Sequence, residues 1–319
     1  MTVISESTLS LLRVLTMENE SISVSVLPEV GAKILSLVDR CSGRNLLWQN
    51  PRIRPQRFPV DANFDNYWCG GWDDAFPTAD PCVYQGEPYP NVGELRSLTW
   101  EVDQFEVNNA EATLQLSTWG PITPIRAVKI VSLADRVLSM RFLIENVGPL
   151  PVDFLWGTHP CFKVAEGTRL IIPGRTGLVQ QANNPVLGTN GQRYPWPHLN
   201  GRDMSVVPSI ASGLACGHYV TELEDGWFAV ELAGSGIVYE FPLETCPNLW
   251  LWLVYGGWRG YYHAIVEPWT GYPVNLTEAV AEGRHRTLQP GGVFDVTLRC
   301  TTYDDSESST GALQRLRSN

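Results

Sequence analysis

The chain of 319 residues is long enough for one large all-β domain or for two domains of ordinary size. Hydrophobic residues make up 44% of the chain and charged residues 18%, a composition that supports a substantial core and argues against disorder. A formal net charge of -11 argues against nucleic acid and anionic membrane as partners.

Runs that alternate between apolar and polar residues recur from the N-terminal part of the chain to the C-terminal part. This period of two predicts strands with one face in a core and the other face wetter. Short turn segments separate neighbouring runs, which indicates hairpins and antiparallel pairing. We therefore predict an all-β fold, a large antiparallel β-sandwich with few short helices. The clearest apolar positions are Ile22, Val24, Val26, Ala112, Leu114, Leu116, Leu138, Met140, Phe142, Ile144, Phe294, Val296, Leu298 and Cys300.

The sequence predicts a single domain over residues 1–303, followed by a polar, solvated tail over residues 304–319. No linker and no internal repeat divides the domain. Its best helix candidate runs from Thr277 to Glu282, with Asn275 or Thr277 as the capping residue.

The N-terminal residues lack a cationic region followed by an apolar stretch and a cleavage site, and no apolar run is long enough to span a bilayer. Seven scattered cysteines without a Cys-x-x-Cys spacing are typical of a reducing compartment. We therefore expect a cytoplasmic protein that has no membrane partner, and the sequence leaves its oligomeric state open.

Residues 61–100 interrupt the alternation and concentrate aromatic, acidic and amide side chains. Pyranose rings pack their C–H faces on aromatic planes, and their hydroxyls hydrogen-bond to carboxylates and amides. This segment is therefore a candidate sugar site. The alternative is that Gly70 and Gly71 form a turn and that the tryptophans fill the ends of the sandwich. The candidate substrate-binding residues in the segment are Trp72, Asp73, Asp74, Glu94 and Arg96.

Two ionisable residues stand between an apolar stretch and a proline, namely His159 before Pro160 and Glu267 before Pro268. Because proline restricts the residue before it and interrupts sheet pairing, we expect both side chains to lie where a strand leaves its ladder. An imidazole and a carboxylate held in this way could act as a general acid and a general base. Trp269 follows directly and is a further candidate for contact with a ligand.

Each of these two residues also has a purely structural interpretation. His159 could be a satisfied structural histidine, and Glu267 could be a surface carboxylate or an ion-pair partner of Arg284 or Arg286. The apolar residues that precede Glu267 weaken the surface interpretation, because a charge at the end of a buried strand requires a reason.

The sequence contains no pattern that indicates a metal or an organic cofactor, so we expect neither. The histidines lack the short spacing of a metal site. There is no phosphate-binding Gly-x-x-x-x-Gly-Lys, no dinucleotide Gly-x-Gly-x-x-Gly, no His-Glu-x-x-His and no Gly-x-Ser-x-Gly. These absences argue against a kinase, a dehydrogenase, a zinc protease and a serine hydrolase.

Taken in order, several motifs resemble the aldose 1-epimerase, or galactose mutarotase-like, family. The resemblance covers roughly residues 15–302. Its most specific parts are the two segments that contain His159 and Glu267. The motifs are Gly70-Gly71-Trp72-Asp73-Asp74-Ala75-Phe76-Pro77, Gly93-Glu94-Leu95, Trp156-Gly157-Thr158-His159-Pro160-Cys161-Phe162 and Val266-Glu267-Pro268-Trp269-Thr270-Gly271-Tyr272-Pro273.

The resemblance implies a β-supersandwich that interconverts the α and β anomers of a sugar without a cofactor. By position, it makes Glu267 the base that takes the proton from the C1 hydroxyl, and His159 the acid that protonates the ring oxygen. The small-molecule partner is then a hexose or a sugar derivative. The chain departs from the family at Val92, where well-characterised mutarotases carry another histidine before a glycine.

Two other functions remain open at this point. A β-sandwich could bind a carbohydrate without turning it over, which accommodates Val92. A glycoside hydrolase could use paired carboxylates, for example Glu267 with Asp74 or Glu94, held roughly 5–9 Å apart across the scissile bond.

Overall fold

The computed structural model describes residues 1–318, which form 26 β-strands and two α-helices. Neither helix in this part of the chain is long and apolar enough to cross a membrane. The helices are α1 (Leu276–Ala281) and α2 (Ser309–Ser318). The strands are β1 (Val3–Leu9), β2 (Leu12–Glu18), β3 (Ile22–Leu27), β4 (Lys33–Asp39), β5 (Arg44–Asn45), β6 (Trp72–Ala75), β7 (Cys82–Tyr84), β8 (Glu87–Tyr89), β9 (Glu101–Val107), β10 (Glu111–Trp119), β11 (Ile125–Ala134), β12 (Val137–Asn146), β13 (Val152–Phe154), β14 (Gly157–Lys163), β15 (Arg169–Ile171), β16 (Gly174–Ala182), β17 (Arg193–Pro195), β18 (His198–Leu199), β19 (Arg202–Asp203), β20 (Leu214–Leu223), β21 (Trp227–Leu232), β22 (Ser235–Glu240), β23 (Asn248–Tyr255), β24 (Tyr262–Trp269), β25 (Arg286–Leu288) and β26 (Val293–Tyr303).

The predicted alternation is confirmed strand by strand. In β3, Ile22, Val24 and Val26 are buried, whereas Ser23 and Ser25 are half-buried. The same alternation of burial runs along β10, β12 and much of β26, and every apolar position predicted there is buried. The pattern follows from the pleat of a strand, which sends successive side chains to opposite faces.

The predicted helix near residue 277 is also confirmed. Helix α1 is capped by Asn275, whose side chain accepts a hydrogen bond from the backbone N–H of Glu278. Such a cap satisfies one of the donors that an α-helix leaves free in its first turn.

The described chain divides into two compact units, and the boundary falls inside β14, β24 and β26. The first unit comprises Met1–His159 and Trp269–Leu298. In it, β1, β2, β3, β4 and β6 are neighbours in one antiparallel sheet, and β9, β10, β11 and β12 are neighbours in another. The prediction of one domain over residues 1–303 is left untested by this division.

The second unit comprises Pro160–Pro268 and the residues from Arg299 on. In it, β17, β16, β20 and β23 are antiparallel neighbours, and so are β15, β21 and β22. Residues 299–303 of β26 pair with β22 in the same unit.

The prediction of a solvated C-terminal tail is wrong for helix α2. This helix buries Ala312, Leu313 and Leu316 on one face. In the same helix, Arg315 forms an ion pair with Glu307, with 2.8 Å between Nη2 and Oε2. The polar residues 304–308 concealed a short apolar stripe at positions 312, 313 and 316, whose spacing is helical.

Candidate functional site

His159 lies in β14 against two aromatic side chains of the first unit. The centroid of its ring is 6.2 Å from that of Phe64 and 5.7 Å from that of Trp68, and both rings meet the imidazole nearly edge-on. The residue is only 7% exposed. Burial lowers the pKa of His159 to about 4; the carboxylate of Asp73 opposes this shift, and the ammonium of Lys33 adds to it. The imidazole is therefore neutral at pH 7.

The expectation that His159 and Glu267 end their strands is wrong. β14 continues through Pro160 to Lys163, and β24 continues through Pro268 to Trp269. The backbone φ of proline lies within the extended range, and proline removes a single N–H donor, so a strand can pass through it. Both residues therefore belong to regular strands.

Glu267 is fully buried in β24, in the second unit. The three residues before it, Ala264, Ile265 and Val266, are fully buried as well. The interpretation of Glu267 as a surface carboxylate is therefore wrong. Arg284, one of its two suggested ion-pair partners, forms an ion pair with Glu282 instead, at 2.9 Å between Nη1 and Oε2.

The carboxylate of Asp73, whose charge acts on His159, forms a buried ion pair. Its Oδ2 lies 2.8 Å from Nζ of Lys33, and the two side chains are 1% and 2% exposed. Lys33 Nζ also donates a hydrogen bond to the carbonyl oxygen of Gly70, at 2.8 Å. Two acceptors thus compensate the desolvated ammonium, and they fix the strand of Asp73 to that of Lys33.

Asp74 forms a second buried ion pair one residue further along β6. Its Oδ2 lies 2.8 Å from Nζ of Lys129, and Lys129 Nζ also donates to the carbonyl oxygen of Ala32, at 3.0 Å. Burial raises the pKa of Asp74, while the charge of Lys129 and the hydroxyl of Thr158 oppose the rise. Because consecutive side chains point to opposite faces of a strand, the two ion pairs lie on opposite sides of β6.

Glu94 and Arg96 hold loops of the first unit in place. The carboxylate of Glu94 accepts hydrogen bonds from the backbone N–H of Ile122, at 2.8 Å, and of Thr123, at 3.2 Å. Burial raises the pKa of Glu94, and these hydrogen bonds oppose the rise. The guanidinium of Arg96 donates to the carbonyl oxygens of Asn91 and Ala62.

The two candidate tryptophans pack against the start of β14. Nε1 of Trp72 donates a hydrogen bond to the hydroxyl of Thr158, and the ring of Trp269 lies directly on Gly157. None of the six predicted substrate-binding side chains is more than 3% exposed: Trp72, Asp73, Asp74, Glu94, Arg96 and Trp269. The structure thus groups these side chains in one unit with His159 and supplies each with contacts inside the protein. Direct contact of any of them with a sugar remains a prediction.

We expect that replacing Gly157 with alanine destabilises the protein by about 1–3 kcal/mol, since the added methyl group would overlap the Trp269 ring. Urea unfolding provides the measurement. Gly217→Ala is a matched control, because Gly217 also lies in a strand and its added methyl group would meet only glutamine side chains, 3.2 Å away. Equal losses in the two variants would contradict the proposed contact.

Val92 is 5% exposed and has a backbone φ of 61°. Its N–H donates to the carbonyl oxygen of Ala79, at 2.5 Å. A β-branched residue in this left-handed region is rare. Its side chain can neither donate nor accept a hydrogen bond.

Sequence reasoning missed the two lysines of the buried ion pairs. The available signal was a lysine within an apolar run, Ala32-Lys33-Ile34-Leu35 and Val128-Lys129-Ile130-Val131. A lysine is almost never fully buried without a partner, so each of these runs predicts that a buried acid pairs with its lysine. The identity of that acid could not be read from the sequence, since 40 and 55 positions separate the partners.

Among residues 1–318, no group of three or more histidine, cysteine, aspartate or glutamate side chains has an arrangement that could hold a metal ion. All seven cysteines are free thiols.

Comparisons with known proteins identify the fold. The family model for a domain of unknown function, DUF5107, matches residues 4–94. No curated protein matches the chain. A solved candidate aldose 1-epimerase from Klebsiella pneumoniae subsp. pneumoniae MGH 78578 is 16% identical and has a TM-score of 0.74, with 99% of this chain and 87% of that chain covered.

Two further solved structures are similar to this chain over most of its length. A galactose mutarotase-like protein from Clostridium acetobutylicum is 15% identical, with a TM-score of 0.70 over 95% of this chain and 99% of that chain. The Slr1438 protein from Synechocystis sp. PCC 6803 is 19% identical, with a TM-score of 0.69 over 91% of this chain and 96% of that chain. The predicted fold class is thus confirmed: the chain has the all-β, antiparallel galactose mutarotase-like fold.

Proposed function

We propose that the protein is a cofactor-free isomerase of the aldose 1-epimerase type, which interconverts the anomers of a hexose or a hexose derivative. The observation that carries the proposal is His159, an imidazole enclosed by Phe64 and Trp68 within a galactose mutarotase-like fold. Glu267, a fully buried carboxylate in β24, is the proposed partner of this imidazole.

The proposed reaction moves two protons. Glu267 takes the proton of the C1 hydroxyl while the imidazolium form of His159 gives a proton to the ring oxygen, so the C1–O5 bond breaks and an open-chain aldehyde forms. Rotation about C1–C2 presents the other face of the aldehyde. Ring closure returns each proton to its donor, so neither residue is changed by a full cycle.

We propose that the six buried side chains around this centre support the two catalytic groups and limit the entry of water. The Lys33–Asp73 ion pair supplies two opposite charges that act on His159, and it holds β4 against β6. Trp269 is two residues beyond Glu267 and contacts Gly157, which is two residues before His159. These contacts favour a fixed imidazole and a fixed carboxylate, as proton transfer at defined atoms requires.

Val92 favours one other function, the binding of a carbohydrate without turnover. An aliphatic side chain at that position cannot hydrogen-bond to a sugar, and a binding site needs less transition-state stabilisation than a catalytic site. Saturable sugar binding without anomer exchange would identify this function. The glycoside hydrolase alternative draws no support from Asp74 or Glu94, because a buried lysine and two backbone N–H groups respectively engage these carboxylates.

The experiment that tests the proposal is anomer exchange, followed by NMR for a panel of aldoses and phosphorylated aldoses. We expect the wild type to accelerate exchange, and we expect Glu267→Gln and His159→Asn each to lose about 10²–10⁴-fold. Glu278→Gln and His198→Asn are matched controls at exposed positions and should retain the wild-type rate. A wild-type rate equal to that of Glu267→Gln would exclude this function for the sugars in the panel.

The pH dependence of exchange provides a second test. The pKa of His159 lies near 4, so each unit by which pH falls from 7 toward 5 raises the imidazolium fraction about tenfold. We expect the enzyme-catalysed rate to rise with this fraction as pH falls, after subtraction of the buffer rate. A rate that falls between pH 7 and pH 5 and parallels the titration of an ordinary histidine would contradict the assignment of His159 as the acid.

A further inference from the structure

We propose that Arg96 is a positioning residue, which holds residues 58–68, here called the aromatic segment, against His159. The consequence for catalysis rests on the proposed function, but the positioning itself can be measured without a sugar. The segment contains one turn of 3-10 helix, Phe64–Asn66, and no strand among the described elements. Contacts of its side chains and carbonyl groups therefore decide where it lies.

The guanidinium of Arg96 is hydrogen-bonded to the segment and to the loop opposite it. Its Nη2 donates to the carbonyl oxygen of Ala62, at 3.2 Å, and makes a long contact with that of Val60, at 3.5 Å. Its Nε donates to the carbonyl oxygen of Asn91, at 2.5 Å. One planar side chain thus connects two loops. The five donors of a guanidinium lie in one plane and allow this arrangement, whereas the ammonium of a lysine does not.

Two rings of the same segment cover the cation. Cζ of Arg96 is 5.3 Å from the centroid of Phe58 and 5.1 Å from that of Phe64, within the range of cation–π attraction. Burial lowers the pKa of Arg96 to about 10, so it remains charged at pH 7. The carboxylates of Asp73 and Asp65 oppose this lowering of the pKa, while carbonyl oxygens and ring faces contact the guanidinium directly.

The contacts continue from Arg96 to the imidazole through Phe64. Phe64 meets Arg96 through its ring face and His159 nearly edge-on, and Trp68, 6.0 Å from Phe64, covers the imidazole as well. If the segment detached, these rings would withdraw and water would reach His159. The burial that keeps the imidazole neutral would then be lost.

The test is the titration midpoint of His159, followed by NMR of the imidazole without sugar, in wild type, Arg96→Met and Arg96→Lys. We expect the midpoint to rise from about 4 toward the ordinary value of about 6.5 in both variants, and less in Arg96→Lys. Arg96→Lys keeps the charge and loses the planar fork, so it separates position from electrostatics. Asp73 and Lys33, the charged groups that act on His159, are unchanged in every variant.

Matched variants keep the test decisive. Arg126→Met removes another arginine that lies over an aromatic ring, Trp119, and should leave the His159 midpoint unchanged. Phe64→Leu removes the intermediate ring with no loss of charge and should also raise the midpoint, so it replaces Arg96→Met if that variant does not fold. A rise in Arg96→Met with a wild-type midpoint in Arg96→Lys would show a pure charge effect and overturn the proposal.

Exchange kinetics separate positioning from direct contact with substrate. We expect Arg96→Lys to lower kcat more than it raises KM, because displacement of the imidazole outweighs the larger imidazolium fraction that its higher midpoint gives. A rise in KM alone, with an unchanged His159 midpoint, would show that Arg96 binds the sugar and would overturn the positioning role. If wild type shows no exchange at all but the midpoint moves as expected, the proposed function fails and the positioning role stands.

Discussion

Replacing Lys129 with methionine is expected to lower the free energy of unfolding by about 3–5 kcal/mol, because it leaves the carboxylate of Asp74 buried without its counter-ion. Lys129 is fully buried, and its ammonium also donates to the carbonyl oxygen of Ala32 and lies 5.1 Å from the centre of the Phe142 ring. Methionine retains most of the volume and removes only the charge and the donors. Urea unfolding at pH 7 measures the loss.

The sign of the pH dependence follows from the direction of the Asp74 pKa. Burial raises this pKa in the folded protein, and loss of Lys129 raises it further, so the folded state binds the proton more tightly than the unfolded state. The stability of Lys129→Met should therefore be greatest at low pH and should fall as pH rises from the unfolded pKa, about 3.8, through the folded pKa. The difference from wild type should accordingly be smaller at pH 5 than at pH 7.

Two further variants test the explanation. Lys129→Met combined with Asp74→Asn removes both charges and should recover a large part of the lost stability. Arg141→Met breaks an ion pair with Asp295 on the surface and should have a small effect, because solvent screens exposed charges. If Arg141→Met were as harmful as Lys129→Met, burial could not be the cause.

Replacing Gly93 with alanine is expected to destabilise the protein by about 2–5 kcal/mol, for two reasons that add. Gly93 has a backbone φ of +69°. This conformation is unfavourable for any L-residue that has a Cβ atom. The added methyl group would also overlap the carbonyl group of Phe76, which accepts a hydrogen bond from the N–H of Glu94 at 2.8 Å. Backbone atoms must then move, and the loop that bears Val92 moves with them.

Gly86→Ala carries only the first of these two costs, so its comparison with Gly93→Ala measures the second. Gly86 has a φ of +87° in the turn between β7 and β8, and its added methyl group would meet open space among the described residues. The left-handed conformation alone should therefore cost it about 1 kcal/mol. Thermal or urea unfolding of both variants gives the comparison, and a Gly93→Ala loss no greater than that of Gly86→Ala would refute the close approach to Phe76.

Local patterns in the sequence were sufficient to predict much of the fold. Strands such as β3 and β12 can be predicted from the sequence, because a half-buried strand needs an apolar side chain at every second position. Helix α1 was readable from Asn275, a residue whose side chain can close the first turn. Helix α2 was not predicted, because the polar residues before it dominate the local composition. Its apolar residues at positions 312, 313 and 316 were nevertheless present in the sequence.

The site was predictable only in part, because its energetics depend on contacts between distant segments. The proline after His159 drew attention to the right residue but suggested a wrong position at the end of a strand. The ion pairs of Asp73 and Asp74 join residues that are far apart in the sequence. The sequence therefore predicted these two acids as sugar ligands and did not reveal that each pairs with a buried lysine. Phe64 and Trp68 belong to the segment 61–100, whose aromatic content was recognisable in the sequence. That these two rings contact His159 was not.

The most direct test of the account is a crystal structure of the protein with a bound aldose. We predict that one ring nitrogen of His159 lies within hydrogen-bonding distance of the ring oxygen of the sugar and that the carboxylate of Glu267 contacts its C1 hydroxyl. A sugar bound elsewhere, or bound in contact with only one of these two residues, would contradict the assignment of the pair.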